Sequence, residues 1–374
     1  MEIKGIATSI VDRLVDKTVE LGQGRIAGLI GFINSEGYID SASEMVFGEG
    51  VSLRKVLSKI STEDNLTLFE LINLLPENAV LVKTDPGSTG IIEHPTGVDL
   101  LNIPIVKIGV KMGRKSGIGV VYPDGRIFDL ISHEEDLELK KLMVETMEEE
   151  HALVQEIYNL GHDFLEFYQK LPEVDIPERV FDLNKIKASL RVDTIEINSI
   201  DEALVEELVK RSMEIEQGVE VGTIAKVVDG HVIKAGEIVI GGIGYVPSRK
   251  LSSSYTNITG ISTFEVYSKK IPLETVIVHT HPGGTGVMHS GDAENGPDLF
   301  GRPIIAIGHD QKGKIKGATV IEVSSKIAKL DEEYSYANDM YSEAETVDEE
   351  IKYRNMMHDI DKEYTKLSKA IKIL

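Results

Sequence analysis

His279 and His281 stand two residues apart at the end of an apolar, β-branched run, Thr275-Val276-Ile277-Val278, and Asp292 follows eleven residues after the second histidine. A run of that composition predicts a buried strand. Side chains two apart on a strand point the same way, so both imidazoles can face one ion. Pro282 stops the strand, and Gly283, Gly284 and Gly286 let the backbone turn so that Asp292 comes back toward the histidines. Two imidazoles and a carboxylate leave one position of a tetrahedral zinc ion open to water, the arrangement of a catalytic site rather than a structural one. The competing reading is a pair of half-exposed histidines at a strand end.

His-Thr-His-Pro with an aspartate at this distance resembles the JAMM motif of the MPN-domain metalloproteases, which remove ubiquitin-like proteins from their conjugates. In that family the motif continues as Ser-x-x-Asp. Here His279, His281 and Asp292 hold the family's spacing, while His289 stands in the serine position and Ser290 comes one residue later. The resemblance also implies a glutamate on the strand that follows the first helix. Residues 200–217 carry Leu204, Leu208, Met213 and Ile215 among many charges, which predicts an amphipathic helix closed by Gln217-Gly218. The strand that follows, from Val219 to Val228, ends at an Asp229-Gly230 hairpin turn. It is similar to the family's Glu-Val-x-Gly-Leu-Leu strand, which makes Glu220 the candidate general base. Glu237, ahead of the apolar, glycine-containing run from Ile238 to Gly244, is a second candidate. Glu220 is preferred because it alone follows a helix directly; otherwise either is a solvated charge at a strand edge.

An internal repeat changes the reading of the whole chain. Residues 20–31 lie over residues 214–225 without a gap. The run from Val80 to Gly90, containing Asp85-Pro86-Gly87, matches the run from Val276 to Gly286, containing His281-Pro282-Gly283. Residues 103–109 then answer residues 302–308, and the offset drifts only from 194 to 199 across the three blocks. The chain is two copies of one domain, and they differ where chemistry resides. Ile26 stands opposite Glu220, Lys83 opposite His279, Asp85 opposite His281 and Thr96 opposite Asp292. A lysine puts a fixed cation where a metal would bind, and isoleucine neither takes nor gives a proton. Because the glycine loop occurs in both copies and lacks the Gly-Lys-Ser/Thr end of a P-loop, it reads as backbone requirement and not as a phosphate cradle. A metal-competent copy fused to a metal-less one also resembles the MPN-plus and MPN-minus pairing of the family, in which the inactive partner holds or positions the active one.

Composition limits the chemistry further. The 374 residues include no cysteine, which excludes disulfides, thiolate zinc sites and cysteine nucleophiles. A net charge of -22 opposes binding to nucleic acid phosphates. Neither a signal-peptide pattern nor an apolar run of membrane-spanning length is present in these residues, so a soluble, cytoplasmic protein without membrane contact is expected. His94, His133, His151, His162, His231, His309 and His358 have no motif around them.

Helical segments separate and follow the two copies. Ser132-His133-Glu134-Glu135 has the form of a capping box opening a helix that runs toward Phe164, with a break near Gly161 and an end before Pro172 and Pro177. From about residue 325, Ile327, Leu330, Tyr334, Ala337 and Tyr341, then Met357, Ile360, Tyr364, Leu367, Ile371 and Leu374, recur at steps of three and four, an apolar seam on a long helix or helical pair. That seam either packs on its own domains or joins subunits into an oligomer. The expected class is α/β (α+β): a degenerate MPN-like domain over 1–130, a helical linker over 131–198, a JAMM/MPN-plus-like domain over 199–325 and a helical tail over 326–374, each domain a mixed sheet flanked by helices.

The resemblance implies Zn2+ on His279, His281 and Asp292, Glu220 as proton carrier, and Ser290, or His289 in another loop register, as donor to the oxyanion. The reaction class is amide or isopeptide hydrolysis on protein substrates bearing a ubiquitin-like modifier. Another class of zinc hydrolase, the metallo-β-lactamases, requires Asp-His soon after the second histidine, where Pro282 and Gly283 stand. The remaining alternative is a non-catalytic MPN-type scaffold with a structural metal or none.

Overall fold

The computed structural model describes residues 2–50, 52–92, 95–182, 186, 192, 194–215 and 218–374; of Thr96 it describes the backbone alone. His94, Gln217 and the Thr96 side chain, all named above, lie outside the described residues. The protein is mixed α/β, with two separate sheets. It divides into two compact units, one of Met1–Asp64, Leu71–Leu130 and Tyr158–Leu190, the other of Asn65–Glu70, Ile131–Ile157 and Arg191–Leu374.

Along the first half the order is β1 (Gly5–Ala7), α1 (Thr8–Leu21), β2 (Ile26–Ile33), β3 (Tyr38–Ala42), β4 (Val46–Gly48), α2 (Leu53–Ser58), α3 (Leu68–Asn73), β5 (Ala79–Pro86), α4 (Thr96–Leu101), β6 (Ile105–Lys111) and β7 (Arg114–Val121). Helices α5 (Gly125–Lys141) and α6 (Met147–Phe164) follow, then the short strands β8 (Gln169–Lys170) and β9 (Glu173–Val174). The second half repeats this order: β10 (Ser199–Ile200), α7 (Glu202–Met213), β11 (Val219–Val228), β12 (His231–Lys234), β13 (Val239–Ile243), α8 (Ser248–Thr256), α9 (Thr263–Lys269), β14 (Thr275–Pro282), α10 (Ser290–Ala293), β15 (Ile304–His309), β16 (Ile315–Ile321), α11 (Ser325–Ser342), α12 (Val347–Leu367) and β17 (Lys369–Ile373).

The pairings repeat as well. The first sheet runs β8-β7-β6-β5-β2-β3-β1-β9 with β4 on β2, and the second runs β12-β10-β17-β16-β15-β14-β11-β13, closed by a further β12–β11 pairing. In both, the central strand that carries the Pro-Gly turn is antiparallel to one neighbour and parallel to the other: β5 to β2 and β6, β14 to β11 and β15. The Asp229-Gly230 turn between β11 and β12 has φ of 50° and 77°, the left-handed pair that a two-residue hairpin requires. Helix α7, capped by the Asp201 carboxylate on the Ala203 N–H at 2.8 Å, lays Leu204, Val205, Leu208 and Val209 on the sheet. With another helix, α8, also against β11, nearly all of that strand is buried, Glu220 and Thr223 included.

Four expectations about the helical segments are corrected. Ser132 does not open a helix: α5 starts at Gly125, with the Asp124 carboxylate accepting the Arg126 N–H at 2.9 Å. Gly161 breaks nothing, since α6 runs through it, and the break falls before Thr146, whose hydroxyl accepts the Glu149 N–H at 3.2 Å. The stretch expected as a helical linker also supplies strands. Gln169 and Lys170 pair with β7, Glu173 and Val174 pair with β1, and Leu171 between them is buried in the core of the first unit. Nor is the C-terminal segment helical to its end. It forms the pair α11 and α12, then β17, which turns Ile371 inward and bridges β16 and β10. Thr346 and Glu349 cap α12 as Thr146 and Glu149 cap α6, two hundred residues apart, so the repeat extends through the helices and the closing strand. Among the described residues, no helix is long and apolar enough to cross a membrane.

Candidate metal centre

Strand β14 carries His279 and His281 on one face because they are two apart, and its neighbours make room for them. Gly222 on β11 and Ala306 on β15 are the partners of His279, and Gly308 on β15 is the partner of His281. Thr280, on the other face and fully buried, accepts the Val221 N–H at 3.1 Å. In the first unit Thr84 accepts the Ala27 N–H at 2.9 Å in the same way. The threonine between the two ligand positions is therefore scaffold, a hydroxyl that pins the start of the adjacent strand.

Beyond Pro282 the chain turns through Gly283 and Gly286, at φ of 76° and 78°, conformations that glycine adopts without strain. The turn lies against the sheet so closely that a Cβ on Gly308 would sit 2.2 Å from the Gly286 nitrogen. Thr319 donates its hydroxyl to the Gly286 carbonyl and holds the turn from β16. The returning chain enters α10 at His289, whose backbone N–H donates to Asp292 Oδ2 at 3.0 Å. That leaves Asp292 Oδ1 to face the histidines, 3.0 Å from His279 Nε2 and 3.6 Å from His281 Nε2, with the two Nε2 atoms 2.8 Å apart.

Three donor atoms from His279, His281 and Asp292 thus lie within 4.8 Å of one another. This buried group can bind a metal ion. The donor set fits one: the nitrogens that converge have no room for two protons between them, and the carboxylate brings the matching negative charge. The His281 ring also bonds to the Val287 carbonyl, the outer contact that orients a ligating imidazole, whereas His279 Nδ1 is buried with no hydrogen-bond partner among the described residues. Burial alone raises the Asp292 pKa, but hydrogen bonds to His279 and His281 and their charge hold it well below the usual carboxylate range. Burial likewise lowers that of His281, and the Asp292 carboxylate, with Glu220, outweighs it and raises the imidazole above its ordinary value.

Glu220 is brought to the same place. It sits on β11 where pairing with β13 shifts register between Val219 and Val221, an irregularity of the kind that re-aims a side chain. Its side chain is buried and lines a cavity of about 320 Å³ together with His279, His289, Asp292, Tyr245, Pro247, Leu251 and Asn295. Burial raises the Glu220 pKa above its ordinary value, and the nearby histidines offset this in part. Glu237 is exposed in the connection between β12 and β13 and does not line this cavity. Ser290, the first residue of α10, is half-buried and does not line it either, while the exposed His289 ring does. Tyr245 and Asn295 escaped sequence reasoning because neither lies at motif spacing; only the Gly242–Tyr245 bridge after β13 brings the tyrosine to the rim.

The corresponding place in the first unit has the opposite chemistry. Lys107 Nζ lies 2.7 Å from Asp85 Oδ2, and Lys83 stands on the same strand as Asp85. Burial, with Lys107 nearby, lowers the Lys83 pKa. The chain matches no protein-family model, no curated protein and no solved structure.

Proposed function

We propose that the second unit is a zinc-dependent amide hydrolase of JAMM/MPN type, acting on the bond between a ubiquitin-like modifier and a protein. The observation that carries this reading is the convergence of His279 Nε2, His281 Nε2 and Asp292 Oδ1 within 4.8 Å, beside a cavity that Glu220 also lines. Zinc held there supplies a Lewis acid and a water acidified toward a pKa of about 7.

The residues of the chain do the rest. Glu220, with its proton affinity raised by burial, takes the proton of the attacking water and passes it to the amine as the carbon–nitrogen bond breaks. Asp292 offsets the ion's charge, and the apolar wall of Pro247 and Leu251 shields the reacting groups from bulk water. A thiol plays no part, because the chain has none. Lys83, Asp85 and Lys107 give the first unit no comparable set, and we assign it a binding or positioning role.

Chelation should abolish release of free modifier from a conjugate-rich extract of the source cells, and zinc should restore it, while thiol reagents leave it unchanged. If zinc-loaded protein releases nothing and Glu220→Gln retains the same partners as the unsubstituted chain, the non-catalytic scaffold is the correct reading.

A further inference from the structure

We propose that Ser212 and His309 form a second reactive centre, a histidine-activated serine that takes the acyl group of a small ester from a cavity beside helix α7. The proposal goes beyond the hydrolase reading and uses no metal. His309 ends β15, the strand on which Ala306 and Gly308 stand beside His279 and His281. Its side chain takes the other face, the one on which Ile305 and Ile307 form a core with Leu208 and Val209 of α7. There its Nε2 lies 3.1 Å from the Ser212 hydroxyl, in the last turn of α7, and its Nδ1 lies 3.1 Å from the Asp310 carbonyl. A carbonyl only accepts, so Nδ1 carries the hydrogen, and in the neutral ring Nε2 accepts from the Ser212 hydroxyl. The Val219 carbonyl stands farther from that hydroxyl, at 3.5 Å. The Asp310 turn is itself held, since its carboxylate accepts the Lys312 and Lys314 N–H groups at 2.9 and 3.0 Å and pairs with Lys316 Nζ at 2.8 Å. A base on a hydroxyl, oriented in turn by a third group, is the arrangement that activates a serine.

The first unit lacks the pair. Val110 stands where His309 does, each the partner of the proline that ends the central strand, and it belongs to the apolar core. Thr18, opposite Ser212 in the repeat, has its hydroxyl 2.7 Å from that of Thr84 instead. An apolar side chain thus satisfies the backbone at this place, and the imidazole is not a requirement of the fold. Ser212 and His309 are only 5% and 2% exposed, yet both line a cavity of about 520 Å³ with Met213, Ile215 and Pro282. That volume holds a small molecule, and those apolar walls suit a short apolar acyl group. Ser212 Oγ attacks the acyl carbon as its proton passes to His309 Nε2, and the nitrogen gives that proton to the alcohol oxygen as the carbon–oxygen bond breaks. Water, deprotonated by the same nitrogen, then cleaves the acyl-serine, releasing the carboxylic acid and restoring the hydroxyl.

The test uses the full chain, zinc-loaded and chelated in parallel, with phenylmethanesulfonyl fluoride as covalent probe and p-nitrophenyl acetate as ester. The probe should add one sulfonyl group, located at Ser212 by peptide mass mapping, at the same rate in both forms. In His309→Val that labelling should slow about 10²–10⁴-fold, the worth of a general base, and ester hydrolysis should fall to the rate of Ser212→Ala. Valine is the residue of the first unit at this position, so the fold should accept it, and thermal melts of the variant check that. Absence of an adduct at Ser212 in the unsubstituted chain would overturn the proposal whatever the variants do. So would labelling that requires zinc, a folded His309→Val labelled as fast as the unsubstituted chain, or ester hydrolysis undiminished in Ser212→Ala. A chain that is labelled at Ser212 yet cleaves no amide with zinc retains this centre and retires the hydrolase reading. Amide cleavage that stops on chelation, with Ser212 unlabelled in both forms, does the reverse.

Discussion

Lys83 and His279 occupy the same position in their two sheets: each faces a glycine on the adjacent antiparallel strand, Gly28 for the lysine and Gly222 for the histidine. The parallel neighbour differs, Lys107 beside Lys83 and Ala306 beside His279. One backbone thus presents two chemistries, a lysine–aspartate pair in the first unit and a group that can bind a metal ion in the second.

The first consequence is stoichiometric. The full chain should bind one zinc ion, read by elemental analysis after dialysis. Replacing both His279 and His281 by alanine should remove it entirely, whereas replacing Lys83 and Asp85 together should leave it. A second equivalent, or one that survives loss of both histidines, would contradict the assignment of the ligands.

Two glutamates separate by position. Glu220 lines the cavity, so Glu220→Gln should keep the fold and the zinc while lowering hydrolysis by about 10²–10⁴-fold, the usual worth of a general base. Glu237 lies exposed between strands, so Glu237→Gln should stay near the activity of the unsubstituted chain. Rates on a modifier conjugate, measured beside zinc content, distinguish loss of chemistry from loss of metal.

Much of the ligand group was legible in the residues because its placement is local. His279 and His281 are fixed by the two-residue period of one strand, and Asp292 by the Pro-Gly turn that follows. Glu220 came from comparison with a motif, and what places it is non-local: a register shift against β13 that no residue spacing announces. The ends of the repeat were missed for a related reason. Leu171 lies between two two-residue strands, Gln169–Lys170 and Glu173–Val174, too short for a pattern, and Ile371 continued the helical rhythm of the tail; only pairing with distant β1, β7, β10 and β16 makes these segments strands. Thr146-x-x-Glu149 and Thr346-x-x-Glu349 were the available signal, two equal capping motifs at one offset.

In the first unit, Lys83 predicts a stability profile. Burial, then Lys107, lowers its pKa in the fold, against Asp85; unfolding restores it to about 10.4. Between those two values the unfolded chain holds more protons, so stability should rise with pH through that window. Lys83→Met should remove this rise and lift the thermal midpoint at pH 7, each kcal/mol counting for about 2–4 °C in a domain of this size. Melts at pH 7 and pH 10 check both. A lower midpoint for Lys83→Met at pH 7 would show instead that the lysine is net stabilising through Asp85.

Gly109 and Gly308 offer the sharpest separation of scaffold from site. A Cβ on Gly109 would lie 2.3 Å from the Gly90 nitrogen and one on Gly308 2.2 Å from the Gly286 nitrogen, so alanine at either position displaces the turn packed over it. The obstacle is backbone, which cannot swing aside as a side chain would. Both substitutions should cost about 1–3 kcal/mol or more, the range for overpacking. Only the turn over Gly308 joins His281 to Asp292, so only Gly308→Ala should also weaken metal binding. Thermal melts with and without zinc resolve the two effects. Added zinc should raise the midpoint of the unsubstituted chain and of Gly109→Ala alike, because the ion binds the folded state, and should raise that of Gly308→Ala far less. Equal zinc responses in the two variants would show that the position of Asp292 does not depend on the glycine turn.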